Sequence, residues 1–484
     1  MNISVLSTVI FIAVFAGVIL THEFGHFIMA RLLKVEVEEF GVGLPPRILT
    51  LWQAKGFLLL RNGKRIEIPR NFRMPVGWST VLNRELKITF DEVNGYSILR
   101  TLEIIGETKP AKDALKDPEV WVDKTGRIVE PRSLQKQFTF GKEPGNVEIT
   151  ETITEVHPGT EFTLNWLPLG GFVRPKGEND PNIPGGLAAS SPWTRLAVLF
   201  AGPTMNLLTA VIVFTYLVYQ MGIPDYSKVQ IGDVIPNSPA AQAGIQASDI
   251  VLSVNGKAIS DPTTLHDVIY ANLDKPVTLT LQRGGQTVHV TATPLSSRPQ
   301  NQGALGISMG YAMVRSGSIL EATGYGVLAV YDYIDQLVSL PAQIIRGQVS
   351  PDQGRFVGLK GIYDLFGQAV SRDIQSRQTA QANPPPSPAT TPPSRPVNPQ
   401  EPTYFTFQLI ALLTVSIGFV NLLPFPALDG GRIFFVLLEL VIRRRVRPEF
   451  ENYVHAIGFA ILLLFMIYVN AMDFIHPAVI TLPK

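Results

Sequence analysis

His22-Glu23-Phe24-Gly25-His26 follows an uncharged run that begins at Val5, and the fold is decided by how these five residues are read. On a helix, residues four apart sit about 40° apart around the axis, so His22 and His26 project from one face. Two imidazole nitrogens placed this way can hold a zinc ion. Glu23 beside them can accept a proton from water polarised at the metal. Ionisable side chains inside a membrane-length apolar stretch are costly and point to function. The segment lacks the basic start and the small-x-small cleavage pattern of a secretory signal peptide, so a retained membrane helix is expected.

Composition sets the frame. A chain of 484 residues should hold several structural units. Its 46% hydrophobic content and mean hydropathy of +0.19 suit a few membrane spans joined to water-soluble insertions. A net charge of +1 argues against nucleic acid as a partner. With no cysteine, disulfides and thiolate-bound zinc are excluded, and any zinc must use His and carboxylate.

Four stretches can cross a bilayer, which takes about 20 residues: Val5–Leu33, Leu196–Val218, Tyr404–Leu423 and Val454–Val469. A fifth, Ile319–Ile345, carries Glu321, Asp332 and Asp335 at spacings that suit an amphipathic helix on the membrane surface (residues 315–347). Arg443-Arg444-Arg445-Val446-Arg447 lies in the short loop between the last two spans and should be cytoplasmic. Both termini and the segment between spans two and three then fall outside. The absence of an Arg-rich transit sequence favours a bacterial inner membrane.

Between the spans, residues 35–165 form a charge-balanced, strand-rich insertion with runs such as Arg65-Ile66-Glu67-Ile68 and Val147-Glu148-Ile149-Thr150. Residues 166–192 contain Leu167-Pro168-Leu169-Gly170-Gly171-Phe172-Val173, which reads as a hairpin around Gly-Gly. Residues 227–295 form a second β-rich module. Residues 383–402 hold nine prolines and read as an extended linker. The expected fold class is a membrane protein, an α-helical bundle of about four transmembrane helices with two β-rich insertions, the first membrane-associated or cytoplasmic.

A catalytic zinc usually takes a third protein ligand. Downstream of the third span stands Asn421-Leu422-Leu423-Pro424-Phe425-Pro426-Ala427-Leu428-Asp429-Gly430-Gly431. Its prolines prevent regular helix, and its glycines permit close backbone approach. Asp429 can reach inward from this broken stretch or simply cap a helix starting near Arg432, and the residues alone favour the cap.

The two motifs together resemble the site-2 protease family of intramembrane zinc metalloproteases, which pairs H-E-x-x-H in one span with N-x-x-P-x-P-x-L-D-G in another. The resemblance implies one catalytic zinc held by His22, His26 and Asp429, with Glu23 as catalytic base and Asn421 engaging the substrate backbone. Further matches are Gly202-Pro203-Thr204-Met205-Asn206, with Asn206 as a supporting polar group, and the Leu169–Val173 hairpin. That hairpin implies a membrane-re-entrant β-element contacting substrate through Gly170, Gly171 and Phe172. Val234-Ile235-Pro236-Asn237-Ser238-Pro239-Ala240-Ala241 and Asp249–Gly256 resemble a PDZ domain, expected on the outer side, where it would gate access or bind extended peptide. Implied substrates are single-span membrane proteins already trimmed by an upstream site-1-type protease, such as an anti-sigma factor or a remnant signal peptide. The family gives no role for residues 35–165. The main alternative is a catalytically silent PDZ scaffold, against which intact Glu23 speaks. A zinc transporter is disfavoured because no internal repeat of spans is visible.

Overall fold

The computed structural model describes residues 3–70, 72, 81–93, 95–104, 147–297, 303–348, 355–382 and 404–477. The expected Pro-rich linker at 383–402 lies outside these residues, as does the middle of the 35–165 insertion. Among the described residues four helical stretches are long and apolar enough to cross a membrane: α1 (Ile3–Leu32), α2 (Pro192–Met221), Phe405–Leu422 and Pro448–Ile475. The second and fourth run past the apolar cores expected from sequence. Pro192 can open a helix because its missing amide would be unpaired there anyway. Glu449 and Glu451 in the first turn of the fourth suit the positive end of its dipole.

The chain divides into two compact units. One comprises Ile12–Met205 with Asn421–Phe459. In it, α1 leads into β1 (Val37–Gln53), followed by β2 (Gly56–Leu60), β3 (Arg65–Ile68), β4 (Glu85–Val93), β5 (Tyr96–Ile104), β6 (Val147–His157) and β7 (Glu161–Pro175). β2 to β6 close into a barrel in the order β2-β3-β5-β4-β6. Period-two alternation sends Leu58, Leu60, Ile66, Ile68, Leu86, Ile88, Phe90 and Leu99 into its fully buried core.

β1 and β7, which flank the barrel strands in sequence, pair with each other in a separate sheet, and both strands bend. Phe40 and Val42 of β1 each have two partners on β7: Phe162 and Val173, then Leu164 and Gly171. β7 therefore folds around the first arm of β1, reversing between Leu164 and Gly171. The expected hairpin is present as a reversal, but it is centred ahead of Gly-Gly instead of around it. Gly170 lies inside the long strand at φ +93°, where its lack of a Cβ permits the bend.

The other unit comprises Met1–Phe11, Asn206–Val420 and Ala460–Lys484. Its β module contains β8 (Ile223–Val234), α3 (Pro239–Gln242), β9 (Ile250–Val254), β10 (Lys257–Ala258), α4 (Pro262–Tyr270), β11 (Val277–Arg283), β12 (Gln286–Ala292) and β13 (Ile307–Val314). The sheet order is β12-β11-β9-β8-β13, with β10 on β9. The expected boundaries of 227–295 are too narrow, because β13 pairs directly with β8, Met309 opposite Ile231.

After the module come α5 (Ile319–Ile345), α6 (Leu359–Ala382) and α7 (Phe405–Val420). α5, expected on the membrane surface, docks against two spans. Its buried stripe is Ala322, Gly326 and Val330. A Cβ at Gly326 would lie 2.9 Å from the Thr215 amide of α2. Tyr333 meets Ser416 of α7 at 3.2 Å between hydroxyls. Small residues at this spacing let helix backbones approach closely. The remaining helices are α8 (Asp429–Ile442) and α9 (Pro448–Ile475).

Candidate metal centre

His22 and His26 lie one turn apart on α1, with Nε2 atoms 3.2 Å from each other. Asp429, 407 residues further along the chain than His22, opens α8 and brings a carboxylate oxygen to 2.9 Å from His22 Nε2 and 3.3 Å from His26 Nε2. All three ligand atoms fall within 4.8 Å of one another. Tetrahedral zinc with bonds of ~2.0–2.1 Å separates its ligand atoms by about 3.3 Å. The residues fit such an ion in both donor type and spacing, with a coordination position left for water.

The imidazoles are aimed by their surroundings. Val198 of α2 presents its carbonyl 2.8 Å from His26 Nδ1. A carbonyl only accepts, so Nδ1 carries the proton and Nε2 turns a lone pair toward the centre. The proline in α2, Pro203, cannot complete the helix ladder and crowds the turn beginning at Leu199, next to Val198. Gly202 lies against the ring, and a Cβ there would collide with His26 Nε2. Gly25 makes a similarly close approach to the Ala201 carbonyl, so α1 and α2 meet at the motif almost backbone to backbone.

Glu23 accepts a hydrogen bond from the Val173 amide at 3.0 Å. This fixes the carboxylate beside the two histidines and ties the second arm of β7 to the motif. Gly170 and Gly171 lie against Ile19 and Leu20 of α1, and added Cβ atoms would meet those side chains at 2.6 and 2.9 Å. Phe172 packs onto Gly41 of β1.

Asp429 does not cap its helix. The N-cap position is Leu428, without a side-chain hydrogen bond, and Asp429 in the first turn directs its carboxylate to the histidines. The Asn421 carbonyl accepts the Gly430 amide at 2.7 Å, closing the loop between α7 and α8. Asn206 is fully buried on α2 and belongs to the other unit. Composition and spacing gave no sign of the Val198 carbonyl, the Val173 amide or the contact at Gly202, because two are backbone groups and the third is a missing side chain.

The model of peptidase family M50 matches residues 10–59, 147–380 and 393–465, and the chain belongs to that family. Residues 60–146, which include β3, β4 and β5, fall outside the matched segments. The chain is similar to the regulator of sigma-W protease RasP of Bacillus subtilis, 25% identical over 474 residues that cover 96% of this chain and 98% of the relative. It is 30% identical over 321 residues to a putative zinc metalloprotease of Clostridium perfringens, covering 66% and 84%. Metalloprotease MmpA of Caulobacter vibrioides is 28% identical over 341 residues, covering 64% and 81%. A PDZ domain of an SdrC-like protein from Listeria monocytogenes is matched at 19% identity over 17% of this chain and 88% of that one, with a TM-score of 0.16. The chain is a zinc metalloprotease that cleaves peptide bonds within the membrane.

Proposed function

We propose that His22, His26 and Asp429 hold the catalytic zinc and that Glu23 is the general base. The observation behind this reading is the convergence of two helix-borne imidazoles and a carboxylate from the far end of the chain. An ion held by these residues would supply Lewis-acid chemistry toward a carbonyl and water. Glu23, steadied by the Val173 amide, accepts the proton of the attacking water and passes it to the leaving amine. A substrate helix must unwind first, because its carbonyls are internally bonded. The arm of β7 around Gly170, Gly171 and Phe172 receives the unwound segment as an added strand, and Asn421 engages its backbone.

The substrates we propose are single-span membrane proteins shortened by an upstream site-1-type protease. The name of the Bacillus subtilis relative, regulator of sigma-W protease, supports an anti-sigma factor as one example, and a remnant signal peptide is another. The enzyme resides in a bacterial inner membrane. Its Ile223–Val314 module is a PDZ domain on the outer side that screens substrates by size.

Purified Glu23→Gln protein should retain zinc while turnover of a model span falls by orders of magnitude. Asp429→Ala should lose both. An active Glu23→Gln enzyme would remove the proposed base.

A further inference from the structure

We propose that His455 is a positioning residue that holds the Asp429 loop in its metal-binding conformation, resting on the ligand assignment above. The loop from Asn421 to Gly431 contains two prolines with no amide, and four of its other amides donate within the loop itself. Phe425 donates to Leu423, Leu428 to Phe425, Gly430 to Asn421 and Gly431 to Leu428. Ala427 is different. Its amide donates to Nδ1 of His455, on α9, at 2.9 Å. Ala427 also takes φ +78°, a left-handed conformation that a residue with a Cβ adopts only when its surroundings enforce it.

A second contact from the same helix backs this bond. Gly458, nearly one turn beyond His455, lies against Pro426, and a Cβ there would come within 2.8 Å of the Pro426 carbonyl oxygen. α9 thus grips consecutive residues, Pro426 by contact and Ala427 by hydrogen bond. Asp429 follows two residues later. An amide donates to Nδ1 only when that nitrogen is unprotonated, so the neutral ring carries its proton on Nε2, which lies 4.0 Å from the Glu451 carboxylate, while the ring as a whole packs beside Phe435. Released from this bond, Ala427 would relax to a right-handed or extended conformation and carry Asp429 away from the histidines. His455 is not one of the three clustered ligand residues. It acts through the loop.

Three variants of the full-length protein separate the acceptor from the bulk of the ring, with zinc affinity in chelator competition as the readout. Asparagine places its oxygen where Nδ1 stands, glutamine places it one bond further out, and leucine supplies none. His455→Asn should hold zinc about as the parent does. His455→Leu and His455→Gln should weaken it by ~10–100-fold, the range for groups that orient a metal ligand. Loss of zinc from Asp429→Ala checks the ligand assignment separately. The proposal is overturned if His455→Leu binds zinc as tightly as the parent, or if the Asn variant is as weak as the Leu variant. Should the Leu protein fail to fold, equal affinities of the Asn and Gln variants overturn it.

Discussion

His26 is held from two sides: the Val198 carbonyl orients its ring, and Gly202 leaves no room for the ring to retreat. The geometry predicts that Gly202→Ala lowers zinc affinity although no ligand is changed. A new Cβ would collide with Nε2 itself, and the ring cannot move aside without giving up its bond to Val198. Metal content after dialysis against a weak chelator checks this, and an unchanged zinc load would show that the ring has freedom the structure does not suggest. At this scale sequence shows only what is written in side-chain chemistry. The four-residue spacing placed His22 and His26 together because helix geometry is local. It could not place Asp429, whose approach depends on a positive φ at Ala427 and on a histidine 28 residues further on.

The bent pair of β1 and β7 shows how an element delivers one backbone amide to the right place. Their joint where the barrel begins is polar: Glu36 accepts from Lys176 at 3.0 Å and meets His157, which also lies 3.1 Å from Glu155. Burial pushes the Glu36 carboxyl up, but its bonds to His157 and Lys176 prevail and hold it below its ordinary value of 4.5. A carboxyl depressed by folding adds stability that is full above 4.5 and is lost as pH falls through the lower folded value. The thermal stability of the parent should therefore exceed that of Glu36→Gln near neutrality, and the gap should close as the pH drops below 4.5. A gap independent of pH would mean that Glu36 acts through packing alone. The bend in β7 was not legible from its sequence. Gly-Gly signals a tight turn, yet with β1 threaded between its two arms the strand reverses over a longer segment, and only long-range pairing decides that.

On the scale of the whole molecule, the four spans were legible because twenty apolar residues have few other uses, whereas the ends of the second and fourth were not, since flanking polar turns extend those helices. The β module was bounded too narrowly for a related reason: β13 follows a stretch without alternation, and its membership rests on pairing with β8. A deletion that tests the size filter should therefore remove Ile223–Val314 as a block, leaving no orphaned strand. The filter predicts that such a protein cleaves full-length substrate that the parent ignores, while trimmed substrate is still processed. If cleavage of trimmed substrate is lost instead, the module recognises new chain ends. Topology is open to reporter fusions: the proposed orientation expects an outside signal after Ala247 and an inside signal after Arg447.

The closed barrel has one more consequence. Gln53 of β1 faces Glu161 of β7 on the last rung of their pairing, and the Ala54 amide bonds the Thr160 carbonyl at 2.8 Å just beyond it. Phe57 then faces His157 as the barrel's own strands begin. The chain leaves and re-enters at neighbouring points, so about a hundred residues hang from a doorway one strand-spacing wide. Joining two ends already held together asks little further loop-closure entropy, however long the detour between them. Such a doorway lets the attached room be enlarged, exchanged or bricked up without disturbing the register that presents Val173 to Glu23, in keeping with a family pattern that breaks off and resumes within the barrel.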